Sequence, residues 1–427
     1  MWYTHPEGEC TVTKRGIVRP WLFILLINVL GYGLLALNSE NFGNDIIRTG
    51  AYVTAVLMVA YFVVNKISGI TDNYIFLIVS MLFSVGEIML CRLDFDFAKK
   101  QMLWLFISLG VFFVAYILFK KLNIWQEMGY VYYLSAIALF LLTLIVGTVQ
   151  GGAKNWIVIA GHTFQPSELI KILTVLFLAD RYTHPEKYRF KMFDEDVVTS
   201  FLVYVLLCFF VLQREWGTAV LIVILHLVMM YIFGSKIKII LLNLLLAVAG
   251  GSLGALFVSH IKVRISVWLD PWSRVMDKAY QITQSLFAIT AGGLFGTGLA
   301  QGSPWYIPEV HSDFIFAAIC EEFGILGGVG IVLLYLLLVY RGIRIAMGID
   351  DVFYRCAATG ISVMLGIQIF IILGGVVKLI PLTGITLPFI SYGGSSLLTC
   401  FVSIAILEAC ATKKSHSETE AIKLEEE

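Results

Sequence analysis

The stretch MLWLFISLGVFFVAYILF, residues 102–119, carries no charge and is bracketed by Lys99, Lys100, Lys120 and Lys121. As a helix it rises about 27 Å, close to the hydrocarbon thickness of a bilayer. Its apolar residues run continuously instead of alternating, which favours a helix over a barrel strand. The same ruler, moved outward along the chain, marks twelve spans near 20–37, 49–65, 74–91, 102–119, 129–149, 167–180, 197–213, 217–234, 238–259, 313–340, 353–376 and 390–411. The sixth is short and polar at its start. Composition agrees: 59% of the 427 residues are hydrophobic and only 14% are charged, too apolar for one globular core to cover. Lys+Arg and Asp+Glu each count 30, so no bulk field selects polyanions. Nucleic-acid binding, disorder and a small disulfide scaffold are excluded. The fold class is all-α, a polytopic membrane helix bundle.

Seven cysteines without a CxxC pair, and seven scattered histidines without HExxH, give no structural zinc site. With the N-terminus cytoplasmic, the inside segments hold eighteen Lys and Arg and the outside segments eleven. That bias puts both termini inside. The first span lacks a small-residue cleavage site and reads as an uncleaved anchor. Two external connections are long, about 150–166 and about 260–312, and long loops in a bundle are commonly functional. The second is rich in Trp268, Trp272, Tyr280, Gln281, Gln284, Trp305 and Tyr306. Rings beside amides suit a sugar-binding surface, and an interfacial aromatic belt accounts for them equally. The charged tail from Lys413 reads as disordered.

Ionisable groups inside spans are costly and mark function by default. Gln165-Pro166-Ser167-Glu168 opens a helix on which Glu168 and Lys171 are i,i+3 neighbours, either a structural ion pair or part of a hydrophilic cavity. Asp313 begins an apolar helix near Glu309 and His311, where a simple N-cap is the alternative. Glu321 and Glu322 lie about 12 Å deeper and must bond neighbouring helices or be protonated. The run Pro381 to Ser396, ending Gly393-Gly394-Ser395-Ser396, is too rich in proline and glycine for a regular helix. At membrane depth it must line a cavity or lie inside protein. The residues alone thus permit an outward-facing polar cavity near Glu168, Lys171 and Asp313, and a transporter fits as well as an enzyme.

Seven segments in order carry a resemblance: Gly152-Ala-Lys-Asn-Trp-Ile157, Gln165 to Glu168 with Lys171, Gly217-Thr-Ala219, Tyr280-Gln-Ile-Thr-Gln-Ser285, Gly292-Gly-Leu-Phe-Gly296, Pro308-Glu-Val-His-Ser-Asp-Phe-Ile-Phe316, and Pro381 to Ser396. In type and spacing the chain resembles the SEDS proteins, the shape, elongation, division and sporulation family of RodA, FtsW and SpoVE. The likeness implies a ten-span core over 74–411. Residues 1–73, with a cytoplasmic segment and two additional spans, precede it, and a tail at 412–427 follows.

Family likeness further implies a peptidoglycan glycosyltransferase that polymerises lipid II on the outer face of the bacterial cytoplasmic membrane. Asp313 stands where the family has its catalytic aspartate, and Glu168 and Lys171 stand at positions important for activity. The donor bond is an α-phosphate and the product β-1,4, so the displacement inverts and needs a base near the attacking hydroxyl and positive charge near the leaving pyrophosphate. Asp313 is the expected base. Lys171, a divalent cation (Mg2+ or Mn2+) held partly by Glu168, or Lys154, Arg264 and Arg274 serve the pyrophosphate. Gln165, Ser167, Gln284, His311, Ser395 and Ser396 complete the candidate cavity. No nucleotide cofactor is expected, because the donor is lipid-linked. The implied partners are lipid II, undecaprenyl-linked glycan and a class B penicillin-binding transpeptidase. A lipid II flippase and an inactive scaffold for that transpeptidase are the competing readings. The chain departs from the family pattern at Arg214, Asn155, Ile372 and Lys378.

Overall fold

Charge and capping punctuate the apolar runs. Asp94 accepts a hydrogen bond from the Asp96 amide at 2.8 Å and starts a helix that closes on Lys120 and Lys121, each charge placed favourably for the helix dipole. The computed structural model describes residues 19–38, 43–67, 73–150, 152–159, 161–189 and 194–426. Its helices are α1 (Trp21–Leu37), α2 (Gly43–Ile67), α3 (Asn73–Leu93), α4 (Phe95–Lys121), α5 (Gly129–Val146), α6 (Pro166–Thr183), α7 (Glu195–Leu212), α8 (Trp216–Ile232), α9 (Ile237–Phe257), α10 (Ser259–Leu269), α11 (Tyr280–Gly292), α12 (Ile315–Met347), α13 (Val352–Val376) and α14 (Gly394–Glu426). All twelve expected spans coincide with one of these, and the remaining two, α10 and α11, lie within the long loop. The segment through residue 18, with Lys14 and Arg15 of the charge count, and residues 68–72 beside the expected boundary at 73 lie outside the described residues.

The interior is built by α4 on α14, α12 on α13 and α6 between α5 and α13, with α1 along α2 and α3. The short, polar sixth span finds its reason here. From Pro166 to Arg181 nearly every residue of α6 is buried in protein, so its charges meet partners and not lipid. In α9, by contrast, only Asn243 and Gly254 are buried, and leucines face outward on most sides, as a lipid-bathed helix requires.

Two features depart from a plain reading of hydropathy. The loop after α5 folds into a small antiparallel sheet of β1 (Thr148–Gln150), β2 (Ala153–Ile159) and β3 (His162–Phe164), pairing Val149 with Lys154 and Val158 with Thr163. And α12 breaks at Gly324, whose φ of 71° belongs to the left-handed region. Residues 293–303 dock into that break: the Ile325 amide donates to Gly293 O at 2.9 Å, and the Thr297 amide to Glu321 O at 2.9 Å. A Cβ on Gly324 would fall 2.4 Å from the Gly296 nitrogen. Glu321 accepts from the Ser303 amide at 2.7 Å, and Glu322 from the Ala300 amide at 3.0 Å and Arg92 Nε at 3.2 Å. The two deep carboxylates therefore bond their neighbours, one of the two outcomes expected for them. The helix of α14 runs on to Glu426, through a tail whose Lys, Glu, Ala and Leu residues are good helix formers.

Candidate active site

Between α13 and α14 the chain is non-helical from Pro381 to Gly393, and its polar backbone is satisfied by side chains from several helices. Gln101 of α4 donates to Ser391 O at 3.2 Å, Tyr335 of α12 to Pro388 O at 2.5 Å, and Gln368 of α13 to Thr386 O at 2.9 Å. The run is also bonded to the segment before α12: Ser391 Oγ donates to Ser312 O at 2.6 Å, and the Tyr392 amide to His311 O at 2.9 Å. These bonds hold Asp313 at the mouth of the bundle, on the face that carries the long loop.

Asp313 is half-buried and lines a cavity of about 140 Å3. Arg264 of α10, Lys278 just before α11 and Lys378 just after α13 line it too, with Gln281 and Trp268. Arg264 is fixed by donating to Thr383 O at 2.7 Å, and Trp268 by donating to Lys378 O at 3.2 Å. Gly384, at φ 73°, passes between acid and base. That left-handed φ favours glycine, and a Cβ there would lie 3.3 Å from Arg264 Nη2 and in ordinary contact, at 3.5 Å, with Asp313 Oδ2. Burial raises the Asp313 carboxyl from 3.8 to about 6, the Arg264 charge works against that rise, and Glu309 adds to it. A carboxylate poised in this range is suited to take a proton near neutral pH.

Glu168 and Lys171 answer differently. Lys171 Nζ contacts both Glu168 oxygens, at 3.0 and 2.9 Å, and donates to Gln368 Oε1 at 2.8 Å. Thr399 donates to Glu168 at 3.2 Å, while Thr386 and Ser396 join hydroxyls at 2.6 Å. Both charged residues are buried and neither lines the Asp313 cavity. The pair is a satisfied internal ion pair that ties α6 to α13, α14 and, through Gln368, the Pro381 run.

The remaining expected residues divide. Arg264 joins Asp313. His311 stacks on Phe97 with centroids 4.3 Å apart and faces a neighbouring cavity. Gln165 and Ser167 turn with Asn155 toward the buried Glu215, favouring its charged form against the burial that raises its pKa. Ser396 belongs to the Thr386 pair, and Ser395 is buried beneath it. Lys154 points away and donates to Leu144 O at 2.6 Å, Arg274 donates to Ser266 at 3.4 Å, and Gln284 does not line the cavity that takes Gln281. Lys278 and Lys378 are the lining residues that the candidate set missed, and Gln281 was marked only as one of the amides of the long loop. Of these, Lys378 alone left a signal, a charge directly after an apolar span where the family pattern has none.

The donor set does not fit the divalent ion expected at Glu168. Lys171 already neutralises that carboxylate, and among the described residues no three His, Cys, Asp or Glu side chains converge as metal ligands.

Fold and site together define a multi-pass membrane protein with an acid and three cations gathered at one end of its bundle. The chain belongs to the FtsW, RodA and SpoVE family: the model of these cell cycle proteins, FTSW_RODA_SPOVE, matches residues 67–416. Peptidoglycan glycosyltransferase RodA of Mycobacterium leprae is 32% identical over 416 residues, 92% of this chain and 89% of that protein. Stage V sporulation protein E of Bacillus subtilis is 36% identical over 322 residues, 74% and 86% of the respective lengths. A solved chain from a peptidoglycan synthase complex that coordinates polymerization and crosslinking superposes with a TM-score of 0.68 at 25% identity, over 80% of this chain and 98% of its own. The protein is accordingly a glycosyltransferase of this family.

Proposed function

We propose that this glycosyltransferase polymerises lipid II into glycan strands on the outer face of the bacterial cytoplasmic membrane, with both termini inside. The observation that carries the reading is the shared cavity of Asp313 with Arg264, Lys278 and Lys378. The excess of Lys and Arg in the segments on the other face supports the orientation.

In the reaction the acceptor's 4-hydroxyl gives its proton to the Asp313 carboxylate as its oxygen attacks the anomeric carbon of the donor. The bond from that carbon to the phosphate oxygen breaks, and the polyprenyl pyrophosphate leaves with the electron pair. Attack opposite the leaving group turns the α-linkage into a β-linkage. Arg264, Lys278 and Lys378 offset the charge that grows on the pyrophosphate, an interaction stronger in a site shielded from water. A class B penicillin-binding transpeptidase is the partner in this reading, supported by the likeness to a chain of a complex that polymerises and crosslinks.

The test is radiolabelled lipid II with the purified full-length protein in detergent, where no bilayer remains to flip across. Glycan chains formed there support a polymerase. Unchanged lipid II under conditions that keep the protein folded overturns it and favours a flippase or scaffold.

A further inference from the structure

A second cavity, of about 290 Å3, lies close in sequence to the first, through the 309–313 segment. It is lined by Arg92, Asp94, Phe97, Trp305, Glu309 and His311, among others. His311 and Asp313 are two residues apart, so their backbones stand within roughly 7 Å. The two cavities therefore open on either side of one short segment, and their chemistry is opposite. The Asp313 cavity carries three cations against one carboxylate. The second carries two carboxylates, Asp94 and Glu309, against Arg92 alone, and Arg92 is engaged by Glu322 at 3.2 Å and by the carbonyls of Ala300 and Gly302. Lys100 sits over the Phe97 ring at 5.6 Å but does not line the cavity. A pyrophosphate is disfavoured there. Two aromatic planes dominate instead. Phe97 is held in place by its stack on His311 and its contact with Tyr392, centroids 4.7 Å apart. Trp305 is 60% exposed although Arg92 lies over it at 5.1 Å. Rings that take the C–H faces of a ligand, with carboxylates and an imidazole at the rim to meet hydroxyls, suit an uncharged polyhydroxylated molecule.

We propose that this second cavity is a saccharide subsite, holding the uncharged sugar units of a glycan beside Asp313 while the first cavity holds the pyrophosphate. The identity of the glycan rests on the polymerase reading, but the affinity for sugar does not. Charge is thus sorted across the 309–313 segment, and the sugar to be joined lies next to the group that handles its proton.

The experiment uses the full chain in detergent on an Asp313→Asn background, so that nothing turns over. It is titrated calorimetrically with a lipid-free β-1,4-linked N-acetylglucosamine tetramer. Binding is expected, weakened at least tenfold by Trp305→Ala and largely retained by Trp305→Phe, with the melting temperature unchanged because the ring is exposed. On the otherwise wild-type chain, Trp305→Ala is expected to shorten the glycans made from lipid II. No binding to the parent, or equal binding by Trp305→Ala, overturns the subsite. If the wild type makes no polymer while tetramer binding depends on Trp305, the polymerase reading falls and the saccharide site stands. Polymer made alongside binding that ignores Trp305 removes the site alone.

Discussion

Two acid–cation pairs lie near the same end of the bundle and do different work. Glu168 and Lys171 are buried between helices and bonded to Thr399 and Gln368. Asp313 and Arg264 flank Gly384 and open to a cavity. The difference follows from their positions: α6 is enclosed by other helices, whereas Asp313 sits in the turn before α12, where the loop helices α10 and α11 meet the end of α13 around a cavity. A buried, satisfied pair gives up its reactivity for rigidity. An open pair keeps a carboxylate whose proton affinity is set by partial burial against one cation. Oddness in a membrane does not by itself place a residue at the cavity, since the more conspicuous pair is bonded within the protein and does not line it.

The largest effect expected from breaking that contrast is on stability. Glu168→Gln leaves Lys171 charged and unpaired in the interior, a loss of about 3–5 kcal/mol. The double variant Glu168→Gln/Lys171→Met is expected to recover most of it, read by thermal unfolding in detergent. Recovery of fold without recovery of polymerisation would show that the pair does more than position the Pro381 run. Next, Lys378→Ala or Lys278→Ala is expected to lower kcat by up to about 100-fold at an unchanged melting temperature, measured as the initial rate of lipid II consumption.

A smaller effect appears in the pH profile. In the proposed reaction Asp313 works ionised, and its pKa is raised to about 6, so the rate is expected to fall as pH drops through 6 and to level off above 7. Arg264→Gln removes the charge that holds the carboxyl down, and the acidic limb then moves to higher pH. A limb near 4 in the wild type would mean that burial does not tune Asp313. Least of all, Leu245→Ala on the exposed side of α9 is expected to change stability by no more than about 0.5 kcal/mol.

The bundle was legible because the bilayer enforces one length and one composition on every span, so 102–119 could be read without context. The short polar stretch at 167–180 was harder, since only its burial between α5 and α13 explains how it holds charge. The break at Gly324 was hidden inside a long apolar run, where a single glycine does not declare its φ. Of the strands, β1 and β3 have three residues each, too few for alternation to register, and β2, AKNWIVI, does not alternate cleanly. Within the site, Asp313 stood out as an acid at the start of an apolar helix. Lys278 did not, because its meeting with Asp313 depends on how α10 and α11 fold back over the bundle, a long-range packing result that no local spacing encodes.

The account turns on Asp313 taking the proton of the attacking hydroxyl, and the most direct measurement compares initial polymerisation rates of purified wild-type and Asp313→Asn protein on lipid II at pH 7.5, with melting curves recorded in the same detergent. A fall of about 100- to 10,000-fold is expected on loss of the base, with the melting temperature equal to or above that of the wild type, since the substitution removes a partly buried charge. An Asp313→Asn protein that polymerises within a few-fold of the wild-type rate would contradict the account.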